Sequence, residues 1–269
     1  MRRWKWSLLS RSSEHPAYGI LRPVTRTASV LLCDNPGIMT LEGTNTWVLR
    51  GRGSAESVIV DPGPDDADHI ARLADLGPIP LILISHRHGD HTDGIDRIVD
   101  ATGATVRAVG SGFLRGLGGP LLDGEVIDAA GLRITVLATP GHTADSVSFL
   151  VDGAVLTGDT VLGRGTTVID DEDGSLAAYL DSLRRLRGFG RLAVLPGHGP
   201  NLDDIEAVSA MYLAHREERL DQVRQALRVL GEDATARQVV EHVYTDVDAK
   251  LWDAAEKSVR AQLDYLRLP

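Results

Sequence analysis

Cysteine is almost absent: the 269-residue chain has one, Cys33. An intramolecular disulfide is therefore excluded, and so is a metal site built from several thiolates. Any metal must be held by histidine and carboxylate. Cys33 falls in the apolar run 29–33, as a small buried side chain would. Long apolar runs are also absent. No stretch approaches the roughly 18 residues that a membrane helix needs, so no membrane partner is expected. Residues 1–13 start basic, with Arg2, Arg3 and Lys5, but offer only Leu8 and Leu9 as an apolar pair. That is too little for the apolar core of a signal peptide. Residues 1–17 read as a disordered extension and the chain as cytoplasmic. Positive charge is in deficit: 28 Lys and Arg against 38 Asp and Glu leave a net charge of −10. An acidic chain repels phosphate backbones unless a basic patch or bound cations reverse the field locally.

What is present is a strand-rich half followed by a helical one. Residues 24–32 and 45–49 read as strands of a hairpin, with Asn35, Pro36 and Gly37 as turn residues between them. Residues 57–60 form a short buried strand. A helix capped by Asp65 or Asp66 then runs to Leu76, and residues 81–84 form another buried strand. Residues 124–127 and 132–137 read as strands. Residues 146–151 and 154–157 suggest a hairpin turning at Asp152 and Gly153. Residues 175–187 have the period of an amphipathic helix, with Leu176, Leu180, Leu183 and Leu186 on one face. After a last strand at 192–195 come three expected helices, 205–230, 234–244 and 248–267, the second capped by Asp233 or Thr235. The resulting domains are 18–204 and 205–269.

The chemistry is concentrated in Ser85-His86-Arg87-His88-Gly89-Asp90-His91-Thr92-Asp93, which follows a buried strand. His86 and His88 share a face by the two-residue period of a strand, so two imidazoles can grip one ion. Asp90 and His91 lie past the bend and can grip another. Three more segments each follow an apolar strand and present one ligand-type residue at its end: Pro140-Gly-His142, Gly158-Asp159 and Pro196-Gly-His198. Five of the nine histidines sit in these motifs. The others, His15, His69, His215 and His242, read as surface or helix residues.

With Asp61 at another strand end, these segments resemble the metallo-β-lactamase superfamily over roughly residues 18–200. The resemblance implies an α/β fold, a four-layer αββα sandwich with the site at one edge between two sheets. It implies two metal ions. His86, His88 and His142 would hold the first, Asp90, His91 and His198 the second, and Asp159 would bridge them. Zinc is the expected metal, with manganese or iron also suited to such ligands. Water shared by paired cations ionises near neutral pH and attacks a carbonyl or phosphorus, and Asp90 would orient the nucleophile or protonate the leaving group. Asp61, Asp93 and Thr143 are candidates for fixing the histidine tautomers.

The bridging aspartate resembles thioesterases of the glyoxalase II type and the superfamily's phosphodiesterases more than true β-lactamases, which generally lack it. Gly43-Thr44-Asn45-Thr46 and the segment 158–168 are similar to the β-lactamase-like protein 2 branch. That branch carries a winged-helix-type C-terminal domain and acts on single-stranded RNA. Asn45, Arg164 and Thr166 become candidate substrate contacts. Residues 201–269 depart from that pattern: nine Lys and Arg face fourteen Asp and Glu, and no room is left for a β-hairpin wing. An acidic, wingless helical unit is a poor reader of nucleic acid. The expectation is a binuclear hydrolase of single-stranded RNA or of a small molecule. A thioester is the main alternative and a β-lactam a side substrate. A non-catalytic metal-binding scaffold is the reading from another class.

Overall fold

The computed structural model describes residues 17–245 and 252–267. All but the last residue of the expected N-terminal extension, and the start of the third C-terminal helix, lie outside the described residues.

Two sheets carry the fold. The first contains β1 (Arg22–Pro23), β2 (Ala28–Leu32), β3 (Asn45–Leu49), β4 (Val58–Val60), β5 (Leu81–Leu83) and β6 (Thr105–Arg107), in that spatial order. The second is ordered β11 (Ala193–Pro196), β10 (Ala154–Gly158), β9 (Val147–Val151), β8 (Leu132–Ala138), β7 (Val126–Ala129). The strand period of two sorts the side chains. Val30, Trp47, Leu49, Val58, Val60, Leu81 and Leu83 point to the gap between the sheets, where Ile134, Val136, Phe149, Leu156 and Leu195 meet them. Their alternates Leu31, Val48, Ile59 and Ile82 face the other way, onto α1 (Ala67–Ala74) and α3 (Ile95–Thr102). Leu137, Val155 and Val194 likewise face α4 (Leu176–Arg187) and α5 (Ile205–Leu230). Both faces of both sheets are apolar, so the layers stack α-β-β-α.

Most expected elements are present with shifted ends. The strand expected at 24–32 begins only at Ala28: Thr25 Oγ1 accepts from the Thr27 and Ala28 amides, and this local turn separates β2 from β1. Asp66 caps α1 through the His69 amide, and Ser175 and Asp204 cap α4 and α5. Asp152 and Gly153 turn the β9–β10 hairpin with φ of 44° and 77°, the left-handed pair that a two-residue turn requires. The histidine cluster itself forms α2 (Gly89–Thr92), and the unassigned stretch after it holds α3 and β6. α3 is as long as α1 but lacks a side-chain cap at its start, and β6 has a single apolar residue.

The C-terminal helices are α5, α6 (Ala236–Val243) and α7 (Trp252–Leu266). Thr235 and Gln238 form a capping box at the start of α6. The first half of α5 packs on α4. Its second half joins Val239, Val240, Val259 and Leu263 in a separate small core. Among the described residues no strand follows β11, and no helix is long and apolar enough to cross a membrane.

His69, expected at a surface or on a helix, lies on α1 but is buried, with Nε2 2.8 Å from Thr46 Oγ1. Burial pushes its imidazole down to about 4, and the nearby Asp66 only partly offsets this. The unfolded chain therefore takes up this proton first as pH falls. The stability is intact above the unfolded pKa of about 6.5 and is lost on the way down to 4. In chelator-treated protein, His69→Gln should flatten the decline in unfolding free energy from pH 7.5 to 5 by about 2 kcal/mol. Parallel urea-denaturation profiles for the two proteins would refute this.

Candidate metal centre

Five loops leave the ends of strands at one edge of the sandwich and bring their polar side chains together. Asp61 follows β4, the His86 cluster follows β5, His142 follows β8, Asp159 follows β10 and His198 follows β11. His88 is the N-cap of α2, and this single turn presents Asp90 and His91 to the cluster. Ligand-type atoms fall within 4.8 Å of one another in three groups: His86, His88 and His142; His86, His91 and Asp159; and Asp90, His91 and His198. The second group spans the other two and puts Asp159 between them. Gly197 allows this closeness. A Cβ there would lie 2.5 Å from Asp159 Oδ1 and 2.8 Å from His91 Cε1.

Each imidazole has an outward partner that assigns its proton. His142 Nδ1 donates to the Val168 carbonyl at 2.6 Å and His198 Nδ1 to the Gly43 carbonyl at 3.1 Å. His91 Nδ1 donates to Asp61 Oδ2 at 2.9 Å, and His88 Nε2 to Asp170 Oδ2 at 3.1 Å. Ser85 Oγ donates to Asp61 Oδ2, which leaves it to accept from His86 Nδ1 at 2.9 Å. The remaining nitrogens all face inward with lone pairs. His88 Nδ1 lies 3.1 Å from His86 Nε2 and 3.0 Å from His142 Nε2, and His91 Nε2 lies 3.2 Å from His198 Nε2.

Facing lone pairs at these distances repel unless a cation sits between them. Tetrahedral ligation with metal–nitrogen bonds near 2.05 Å would place such nitrogens roughly 3.3 Å apart. Asp159 Oδ1 is buried and without a hydrogen-bond partner among the described residues. That is the atom a bridging carboxylate would turn to a metal. The donor set therefore fits two divalent ions.

The electrostatics agree. Burial works to raise the Asp159 carboxyl, yet the surrounding His198, His91 and His86 hold it well below the ordinary carboxylate range. Burial and the neighbouring His91 drive His86 well below its usual value. Against burial, Asp159 and Asp90 push His198 well above its usual value.

The structure brings together all seven candidate ligands, His86, His88, Asp90, His91, His142, Asp159 and His198, with Asp61 behind them. Other candidates stand elsewhere. Thr143 does not orient an imidazole, because its hydroxyl is engaged by Asp145 and Ser146. Asp93, at the C-cap of α2, turns its carboxylate back toward Gly89 and makes no described contact with a histidine. Asn45 is not free for substrate: its amide is buried and donates to the carbonyls of Pro196 and Gly199, holding the His198 loop. Arg164 is ion-paired with Glu42. Thr166 is half-buried in the loop after Asp159, beside Thr167, which donates to the Asp159 carbonyl. Sequence reasoning missed Ser85 and Asp170. Ser85 is adjacent to His86, which was a usable signal. Asp170 lies in the acidic run 170–173, which looks like a solvated loop.

Fold and site together define an αββα protein with a candidate two-ion centre at the sheet edge. The chain belongs to the metallo-beta-lactamase superfamily, whose family model matches residues 39–198. A beta-lactamase associated winged helix domain matches residues 235–267. The superfamily's members are in general metal-dependent hydrolases, and this chain is an enzyme of that kind. They typically carry a dinuclear centre of zinc or iron. A beta-lactamase-like protein 2 homolog of Caenorhabditis elegans is 33% identical over 88% of this chain and 82% of its own length. An atrochrysone carboxyl ACP thioesterase of Aspergillus chevalieri is 32% identical over 91% of this chain and 82% of its own. Among solved structures, a beta-lactamase domain protein of Burkholderia ambifaria superposes with a TM-score of 0.82. It is 21% identical, with 98% of this chain and 93% of that chain covered.

Proposed function

We propose that this enzyme is a binuclear metal-dependent thioesterase, with zinc as its metal. The observation that carries the choice of substrate is the charge of the rim. A phosphodiester backbone needs free cations at the mouth of the site. Two arginines in the loops that carry the ligands are already engaged by acids: Arg87 by Asp170, Glu172 and Asp173, and Arg164 by Glu42. These ion pairs set four carboxylates against two guanidinium groups. That suits a neutral acyl group better than RNA, and the similarity to a thioesterase supports the same reading.

His86, His88 and His142 would hold one ion, Asp90, His91 and His198 the other, with Asp159 shared. Bound there, the pair supplies Lewis acidity and lowers the pKa of water toward neutrality. The protein's own part is to hold each imidazole in one tautomer through Ser85, Asp170, Asp61 and the Val168 and Gly43 carbonyls. Pre-set donors need no rearrangement as charge develops on the substrate. The Asp90 carboxylate, at 28% exposure the more open of the two ligand acids, is the group able to carry a proton toward the departing sulfur.

The zinc-loaded enzyme should hydrolyse S-lactoylglutathione or an aromatic acyl thioester of N-acetylcysteamine at least about tenfold faster, in kcat/KM, than it cleaves single-stranded RNA or nitrocefin. The His86→Ala variant is the blank for each. RNA as the preferred substrate would replace this reading with the phosphodiester one. No turnover of any substrate by an enzyme with full metal content would revive the scaffold reading.

A further inference from the structure

The outward supports of the five imidazoles fall into two sets. Those of His86, His91 and His198 come from the strand ends and the β2–β3 connection: Ser85, Asp61 and the Gly43 carbonyl. Those of His88 and His142 come from one short stretch between Asp159 and α4. Val168 supplies the carbonyl for His142, and the Asp170 amide donates back to the His142 carbonyl at 2.9 Å. The Asp170 carboxylate takes His88 Nε2 on one side and the Arg87 guanidinium on the other. Asp173 Oδ1 accepts from the Ala144 amide at 3.1 Å, beside the His142 loop. The far side of the stretch is held by the C-terminal helices. Arg216 of α5 donates to the Thr167 carbonyl, and Lys257 of α7 lies 2.9 Å from Asp171.

We propose that residues 168–173 are a brace for one metal position only, the one formed by His86, His88 and His142, and that Asp170 is its positioning residue. The inference rests on the two-ion reading above. His88 is the most exposed imidazole of the cluster, at 30%, and Asp170 is its outer partner. With Asp170 in place, His88 keeps its proton on Nε2 and turns Nδ1 to the ion. Without it, the ring is free to rotate and to change tautomer, and both cost ligand field at that position. Arg87 has a structural role here. Within the metal motif it sits between two ligands, and it compensates the charge of the Asp170 carboxylate, whose side chain is 13% exposed.

The test is a competitive zinc titration of the full chain against a chromophoric chelator, with ions per chain counted by elemental analysis. Wild type is expected to take two ions. Asp170→Ala should keep one at wild-type affinity and bind the other about 10- to 100-fold more weakly. Asp170→Asn, which retains an acceptor oxygen for His88 Nε2, should recover part of the loss. It also serves where the alanine variant folds poorly. Asp181→Ala, which removes an exposed carboxylate of α4 outside the brace, should bind both ions as wild type does. Two ions in wild type, with both weakened equally or neither weakened in Asp170→Ala, would overturn the brace. Fewer than two ions in wild type would overturn the two-ion reading and the brace with it.

Discussion

Replacing Asp159 with alanine is expected to lower kcat by at least about 10³-fold and to remove at least one of two bound ions. Its carboxylate reaches both halves of the site. Oδ1 lies 3.6 Å from His91 Nε2, and Oδ2 lies 3.3 Å from His198 Nε2 and 3.8 Å from His142 Nε2. No other acid in the cluster touches both sets of imidazoles, since the described contacts of Asp90 are with His91 and His198 alone. The backbone is positioned independently of the side chain. Thr167 Oγ1 donates to the Asp159 carbonyl at 2.7 Å, and Tyr179 donates to the Thr160 carbonyl at 2.8 Å. The loop should therefore stay in place when the carboxylate is removed, and the loss should appear in chemistry and metal content rather than in folding. Steady-state kinetics and metal analysis on the same preparations decide the matter. Turnover within tenfold of wild type would remove Asp159 from the catalytic site.

Asp61→Asn should be the most damaging substitution for stability among the conservative ones, with a loss of about 2–3 kcal/mol. It should also weaken metal binding more than tenfold. All three of its side-chain partners donate: the Ser85 amide to Oδ1 at 2.7 Å, and Ser85 Oγ and His91 Nδ1 to Oδ2 at 2.7 and 2.9 Å. An amide offers one oxygen and one NH₂ group, so at least one donor must face another donor in a site that is 1% exposed. The damage reaches both metal positions, because Ser85 passes the effect on to His86 while His91 feels it directly. Backbone strain does not confuse the comparison. Asp61 has a φ of 56°, and asparagine tolerates that region at least as well as aspartate. Urea unfolding with and without chelator separates the two effects. A variant as stable as wild type in chelator would show that the three hydrogen bonds contribute little.

The parts of this protein that were legible in its sequence were legible for local reasons. Valine, leucine and isoleucine alternated or clustered in short runs, and each run ended in glycine, proline or a ligand-type residue. His86 and His88 could be paired from spacing alone. The stretch from α2 to β6 was not legible: α2 is a single turn, α3 begins at Gly94 without the side-chain cap that marks the equally long α1, and β6 is Thr-Val-Arg rather than an apolar run. The partners of Arg164 and Asn45, both candidate substrate contacts, were not legible either. Arg164 is paired with Glu42, more than 100 residues away in sequence, and Asn45 spans more than 150 residues of sequence to the Gly199 carbonyl.

By itself the sequence determined which ligand-type side chains end the apolar strands and that a metal centre built from them uses no thiolate; the two-sheet sandwich and the sharing of ligands between two ions came from the family resemblance. The first two properties follow from residue type and near-neighbour spacing. Only the tertiary structure decided how the histidines are oriented and what charge surrounds them. His142 is oriented by a carbonyl 26 residues away, His88 by a carboxylate 82 residues away and His198 by a carbonyl 155 residues away. Backbone carbonyls leave no trace in residue identity, and an ion pair between distant loops exists only once the chain has folded. The ligands could be named one strand end at a time, while the tautomers and the acidic rim required all the loops at once.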